Sequence, residues 1–203
     1  KEVGHGSNYG MGPRRLVNTL RENGIFIRES EAKEFQSAYF ARLSEIKPYH
    51  MSIQQKVKTS RCVYDLIGRR HLFLGFIDDK CFQEAYSRPP QATVAGVMLK
   101  GMNNLQEEIN SRVWKSEPLI ILQLHDELLV EADLSDAMVI VELMKSCLTI
   151  PLTAHGRTFS IPMEFRIGYN WGELVSLDEW EREHANDKSQ GLAVQISSIY
   201  GGK

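Results

Sequence analysis

The feature that most constrains this chain is the stretch Pro118 to Asp133, PLIILQLHDELLVEAD, in which two apolar runs flank a polar triplet. Leu119 to Leu124 is apolar except for Gln123, and Leu128 to Val130 resumes the pattern, so both runs suit strands covered on at least one face. His125-Asp126-Glu127 is then the bend of a hairpin. Two neighbouring acids at a bend between buried strands stand on a stiff support, and a hard divalent cation takes oxygen ligands of this kind. Asp and Glu are also ordinary turn residues, so a purely structural turn stays open at this point.

With 203 residues and 42% hydrophobic content, the chain can bury a sizeable core in one domain or two small ones. No apolar run is long enough to cross a bilayer, and KEVGHGSNYG has no signal-peptide layout, so no membrane partner is expected. Cys62, Cys81 and Cys147 are widely spaced and odd in number; they fit a reducing compartment, offer no zinc spacing, and are expected to be buried apolar residues. The chain opens on Lys1 rather than Met and is motif-like from the start, so a fragment of a longer polypeptide is expected. Charge is uneven. Residues 1–75 carry 13 Lys+Arg against 7 Asp+Glu, and residues 76–203 carry 11 against 19. A basic first part favours phosphate-bearing partners, and acids in the second part can hold metal ions; solvated helix faces produce the same imbalance.

Taken in order, residues 1–9 read as a helix that puts Lys1, His5 and Tyr9 on one face at i, i+4 and i+8. A cation, an imidazole and an aromatic ring so arranged could meet a nucleoside triphosphate; a packed Tyr on a partly exposed helix is the plainer reading. Pro13 starts a second helix with the stripe Leu16, Val17 and Leu20. Ser30 is the expected N-cap of a third, whose inner positions are Ala32, Phe35, Tyr39, Phe40, Leu43 and Ile46. Tyr49, Ile53 and Val57 mark a fourth. A short hairpin with a basic tip follows around Ile67-Gly68-Arg69-Arg70. Residues 87–91 read as a loop before a long helix over 92–113, in which Gly101 allows close approach of a neighbour. Ser135 is expected to cap a helix over 136–148 that is apolar nearly all round, and 159–167 to form an edge strand. From Ser176 the chain is polar, read as a loosely attached helix and a disordered tail.

Four stretches, in order, resemble one family, the family A DNA polymerases of bacteria and their phage relatives. Lys1-x3-His5-Gly6-x2-Tyr9-Gly10 is similar to that family's fingers-helix pattern Lys-x3-Phe/Tyr-Gly-x2-Tyr-Gly. The Gly68-Arg69-Arg70 hairpin is the second stretch, and Pro89-Pro90-Gln91-Ala92-Thr93, similar to Pro-x-Gln-Gly-Thr, is the third. His125-Asp126-Glu127 resembles the palm motif, with Asn170-Trp171 near the family's C-terminal end. The resemblance covers about residues 1–173. It implies an α+β chain: a helical fingers segment (1–86), the C-terminal half of a polymerase palm with a central antiparallel hairpin (87–175), and a polar tail (176–203). Carried over by position, Lys1 would grip nucleotide phosphates, His5 would meet the sugar, and Tyr9 would sit beside the templating base. Gln91 would touch the duplex minor groove, and Ser87 and Gly10 would face DNA. His125 would contact the primer terminus, Asp126 would bind Mg²⁺ and Glu127 would support the site.

The departures bear on the chemistry. His5 replaces Phe or Tyr, Ala92 replaces Gly, and Ser87 stands where the family commonly has Asn. The other metal-binding Asp of the family lies in an Asp-Tyr-Ser type strand upstream of the fingers helix, and no such stretch occurs here. Two-metal nucleotidyl transfer needs both carboxylates, so this chain is expected to carry part of a template-directed DNA polymerase and to be inactive alone. Its expected partners are primer–template DNA, dNTPs and the N-terminal part of the polymerase, in the cytoplasm of a bacterial or phage-infected cell. The short spacings and His5 lean toward a phage. Two rivals make other predictions. A non-catalytic nucleic-acid-binding module would bind DNA with strong salt dependence, untouched by Asp126→Ala or by Mg²⁺. A structural domain with a plain turn at 126–127 would respond to neither.

Overall fold

The computed structural model describes residues 2–183 and 192–198. The chain is α+β and divides into two compact units, Lys1–Ala92 and Thr93–Lys203.

The first unit is mostly helical. Helix α1 (Glu2–Asn8) is followed by α2 (Pro13–Glu22), where proline at the first helical position loses no hydrogen bond because that N–H would be unpaired anyway. Leu16 and Leu20 of α2 pack with Ala32 of α3 (Glu29–Arg42) in a small cluster with Val3, Met11, Val17 and Ile27 around it. In α3 the expected inner face is only partly buried: Phe35 and Leu43 are 49% and 39% exposed, while the polar Gln36 is buried, its amide donating to the Met11 carbonyl at 2.7 Å. The cap also differs, because Glu31 closes back on the main-chain N–H of Arg28 at 2.8 Å, the residue just before the helix, and Ser30 lies inside it. That hydrogen bond, reinforced by the Arg28 side chain, holds the Glu31 carboxyl below its usual range.

Helix α4 (Ile46–Ser60) buries Ile53 and Val57 against Val63 of β1 (Cys62–Tyr64), Phe73, Ala85 and Tyr86. Strand β1 pairs antiparallel with β2 (Arg70–Leu72), and Gly68 takes the left-handed backbone (φ 92°) in the connecting turn. Helix α5 (Asp79–Asn110) corrects the sequence reading, since it begins before Ser87 and continues through Pro89-Pro90, where a loop was expected. Proline at 90 cannot donate to the carbonyl of Tyr86, and the Tyr49 hydroxyl donates to that oxygen instead at 2.8 Å, so the helix passes the interruption with this acceptor satisfied.

The second unit packs helices on a five-stranded antiparallel sheet of order β3-β4-β9-β7-β8, formed by β3 (Leu119–Leu124), β4 (Glu127–Ala132), β9 (Leu192–Ser198), β7 (Met163–Gly168) and β8 (Val175–Ser176). Its core joins Leu128 and Val130 of β4, Ile167 of β7, Met98, Leu105 and Ile109 of α5, and Ile140, Val141, Met144 and Leu148 of α6 (Ala137–Leu148). Each such aliphatic side chain contributes about 1.5–3 kcal/mol by leaving water. Gly101 has the expected role: a Cβ there would lie 2.4 Å from Leu148 Cδ2 and 3.1 Å from its Cα. Two expectations for this region give way. Asp133, not Ser135, caps the 3-10 turn Leu134–Asp136 ahead of α6, accepting the Ser135 N–H at 3.0 Å, and Met138 and Val139 are 42% and 43% exposed.

The expected edge strand over 159–167 resolves into two elements. Arg157–Phe159 (β6) pairs with Leu152–Ala154 (β5) in a separate hairpin, and β7 lies inside the main sheet between β9 and β8. The reason is β9, which the sequence reading left in a polar tail. Its register runs along the whole of both neighbours, Glu127↔Ser197 to Ala132↔Leu192 and Met163↔Ser198 to Gly168↔Ala193. Helix α7 (Leu177–Glu183) in the same segment is anchored rather than loose, with Leu177 and Trp180 buried in the core. Cys62 and Cys147 are buried as expected and Cys81 is half-buried, all three free. Among the described residues no helix is long and apolar enough to cross a membrane.

Candidate functional site

The residues singled out by sequence lie in both units, and each unit arranges its own. In the second, β3 and β4 pair antiparallel from Leu119↔Glu131 to Leu124↔Glu127, so the loop between them is the two residues His125 and Asp126. Glu127 is thereby the first residue of β4 rather than part of the bend. A two-residue hairpin needs a positive φ, usually carried by glycine or asparagine, and here His125 carries it at φ 54°. A histidine held left-handed costs about 1–2 kcal/mol, and such strain gathers where a side chain must be placed in one direction. The turn is braced by Gln123, whose amide donates to the His125 carbonyl at 2.6 Å. His125 is exposed, and Asp126 and Glu127 are half-buried. Behind the turn, Leu128 and Val130 are fully buried, so the support is rigid.

Asp126 is a hard oxygen donor of the sort Mg²⁺ prefers, yet one carboxylate is not a metal site. Among the described residues no group of three or more His, Cys, Asp or Glu side chains is placed to hold a metal ion.

In the first unit, Lys1 lies outside the described residues. His5 and Tyr9 are brought together as their spacing predicts, ring edge to face with centroids 4.9 Å apart; His5 is exposed and Tyr9 half-buried. What fixes Tyr9 was not legible in advance. Its neighbour Asn8 is held twice: the Tyr39 hydroxyl donates to Asn8 Oδ1 at 2.9 Å, and His50 Nε2 lies 2.7 Å from the Asn8 carbonyl. A carbonyl only accepts, so that nitrogen of His50 carries its proton. His50 also stacks on Tyr86 at 4.0 Å and 19°, and Tyr86 takes a hydrogen bond from Gln54 at 2.5 Å. Burial, and after it the nearby Tyr9, push the Tyr49 phenol up.

Gly10, at φ 74°, abuts that same ring: a Cβ there would lie 2.8 Å from Tyr86 Cε2, so the position requires glycine on two counts. Its carbonyl accepts from Gln83 at 3.3 Å. Ser87 turns its hydroxyl back to the Glu84 carbonyl at 2.9 Å, and Gln91 is exposed on α5. No spacing signal ties His50 or Tyr86 to Tyr9, because the three come from α4, α5 and the end of α1.

Comparison with known proteins fits this arrangement. The family model described as DNA polymerase family A matches residues 1–173. DNA polymerase I of Deinococcus radiodurans is 32% identical over 151 residues, covering 71% of this chain and 15% of that protein. DNA polymerase I of Geobacillus stearothermophilus is 28% identical over 180 residues, covering 85% of this chain and 19% of that protein. The chain thus spans about a fifth or less of the length of these relatives. Among solved structures, the POL domain of Pol1 from M. smegmatis, in complex with DNA primer-template and dNTP, aligns with TM-score 0.65 at 22% identity, over 76% of this chain and 28% of that one, which shows a shared fold. With a family match that runs through most of its length, the chain belongs to DNA polymerase family A.

Proposed function

We propose that this chain is the C-terminal fingers and palm portion of a DNA-directed DNA polymerase, which adds dNTPs to a primer 3′-OH in the cytoplasm of a bacterial or phage-infected cell. In this reading residues 1–86 are the fingers segment and 87–175 the palm segment. The observation that carries it is the two-residue turn that presents Asp126 at the head of β4, whose Leu128 and Val130 are buried, with histidine rather than glycine bearing the left-handed backbone.

Asp126 is one ligand of a Mg²⁺ site whose other carboxylate comes from upstream sequence. The bound ions supply positive charge beside the reacting phosphate and the primer hydroxyl. Glu127 steadies the site from the first position of β4, and His125, exposed at the tip, contacts the primer terminus. On the fingers side Lys1 grips the nucleotide phosphates, His5 meets the sugar, and Tyr9, pinned through Asn8, sits beside the templating base. Histidine at position 5 is shorter and more polar than Phe or Tyr, so discrimination at the nucleotide sugar is the property most altered. Gln91 faces the duplex minor groove, with Ser87 and Gly10 close to the DNA. Because Ser87 bonds back along its own helix, its contact is weaker than an asparagine there would give.

The test joins the chain to upstream polymerase sequence bearing the Asp-containing strand and measures primer extension. Asp126→Ala should lower the rate at least about a thousandfold, of the order seen when a group that stabilises developing charge is removed. A rate within tenfold of the parent rejects the metal role. Salt-sensitive DNA binding indifferent to Asp126→Ala and to Mg²⁺ would instead identify a non-catalytic binding module.

A further inference from the structure

The β1–β2 hairpin holds a buried carboxylate that the proposed chemistry does not use. The Asp65 side chain is fully buried and saturated from within its own turn. Oδ1 accepts the N–H groups of Ile67 at 3.0 Å and Arg69 at 2.9 Å, and Oδ2 accepts Arg69 Nε at 2.8 Å. His71 Nε2 faces the same Oδ2 at 3.6 Å. The main chain closes the loop as well, with Asp65 N–H donating to the Arg69 carbonyl and Gly68 N–H to the Asp65 carbonyl, both at 3.1 Å. A guanidinium is a planar fork, so binding Nε to Asp65 fixes where the other nitrogens point. Arg69 Nη2 donates to the carbonyl of Ala92 on α5. Ala92 is the residue after Gln91, and the Pro89-Pro90 interruption lies directly before it.

Pro89 and Pro90 carry no main-chain N–H, so α5 is interrupted and softer in the turn that leads into Gln91 and Ala92. The Arg69 fork grips that turn from outside, and Asp65 aims the fork. We propose that Asp65 and Arg69 are positioning residues for Gln91: the hairpin acts as a strut that sets where the Gln91 amide meets a DNA duplex. The inference rests on the reading of Gln91 as a duplex contact and adds what holds it in place.

The experiment titrates the 203-residue chain against a fluorescein-labelled hairpin primer–template, with dissociation constants from anisotropy at several salt concentrations. Gln91→Ala should weaken binding about fivefold, the range for one lost hydrogen bond. Arg69→Lys keeps the charge and loses the fork; it should weaken binding about as much, without changing the salt slope. The double variant should be no worse than the weaker-binding single, because a misplaced Gln91 has nothing left to lose. Asp65→Asn should match Arg69→Lys, and Arg69→Lys, whose side chain is 40% exposed, carries the test if burial makes Asp65→Asn unfold. Effects that multiply in the double variant, or Arg69→Lys binding as the parent does, overturn the strut. Gln91→Ala binding as tightly as the parent overturns the duplex contact itself, and the strut with it.

Discussion

The β1–β2 hairpin and the β3–β4 hairpin both turn on charged residues, and they distribute strain in opposite ways. In the first, Gly68 bears the left-handed backbone at little cost, and the carboxylate of Asp65 is enclosed by donors from its own loop. In the second, His125 bears it and Asp126 is itself a turn residue. The β5–β6 turn combines the two, with His155 at φ 50° and Gly156 at φ 73°. A side chain in the costly position draws on stability for its own placement, and under the proposed function that position adjoins Asp126.

Four measurements would break or sharpen this contrast. The largest expected difference is between the carboxylates. Asp65→Ala strands the buried donors of Ile67 and Arg69 and should cost about 3 kcal/mol in urea unfolding followed by far-UV circular dichroism. Asp126→Ala should stay within about 1 kcal/mol in the same assay while abolishing primer extension in the joined polymerase. Equal losses would erase the distinction. Next, Gly68→Ala should destabilise by about 1–2 kcal/mol. His125→Gly should do the reverse, raising the unfolding free energy by about 1 kcal/mol while slowing extension; a stability loss there would show that His125 is structural.

The smallest effect concerns acid. Burial by itself raises the Asp65 carboxyl, but the hydrogen bonds and charge of Arg69, with the N–H of Ile67, outweigh it and leave the group below its usual range. A depressed folded value means stability present above the unfolded value near about pH 4 and lost as pH falls through the folded one. The gap between the parent and Asp65→Asn should therefore be widest near neutrality and close below about pH 4; a gap that persists in acid would mean the carboxylate's charge contributes nothing.

Local pattern made much of this legible. Leu16 with Leu20, and Ile53 with Val57, follow helical spacing and are buried, and the apolar runs around residues 125–127 form a hairpin. His5 and Tyr9 meet because four residues on a helix leave little choice. The failures are where a distant partner decides. Pro89-Pro90 reads as a break, and only the Tyr49 hydroxyl from α4 satisfies the carbonyl that Pro90 leaves without a donor. Leu192–Ser198 sits amid polar sequence, and its strand exists through pairing with β4 and β7, each far away in the chain. A single acid in a short turn looks the same in sequence whether or not it is enclosed as Asp65 is.

One consequence concerns handling the chain by itself. Among the described residues β3 is an outermost strand of its sheet, and Leu119, Ile121 and Leu124 on it are 54%, 48% and 46% exposed. A greasy ladder of unsatisfied amides invites an identical molecule to zip alongside. Concentrated preparations should therefore drift toward fibrous or dimeric species, and a lysine introduced at Ile121 should keep them monodisperse.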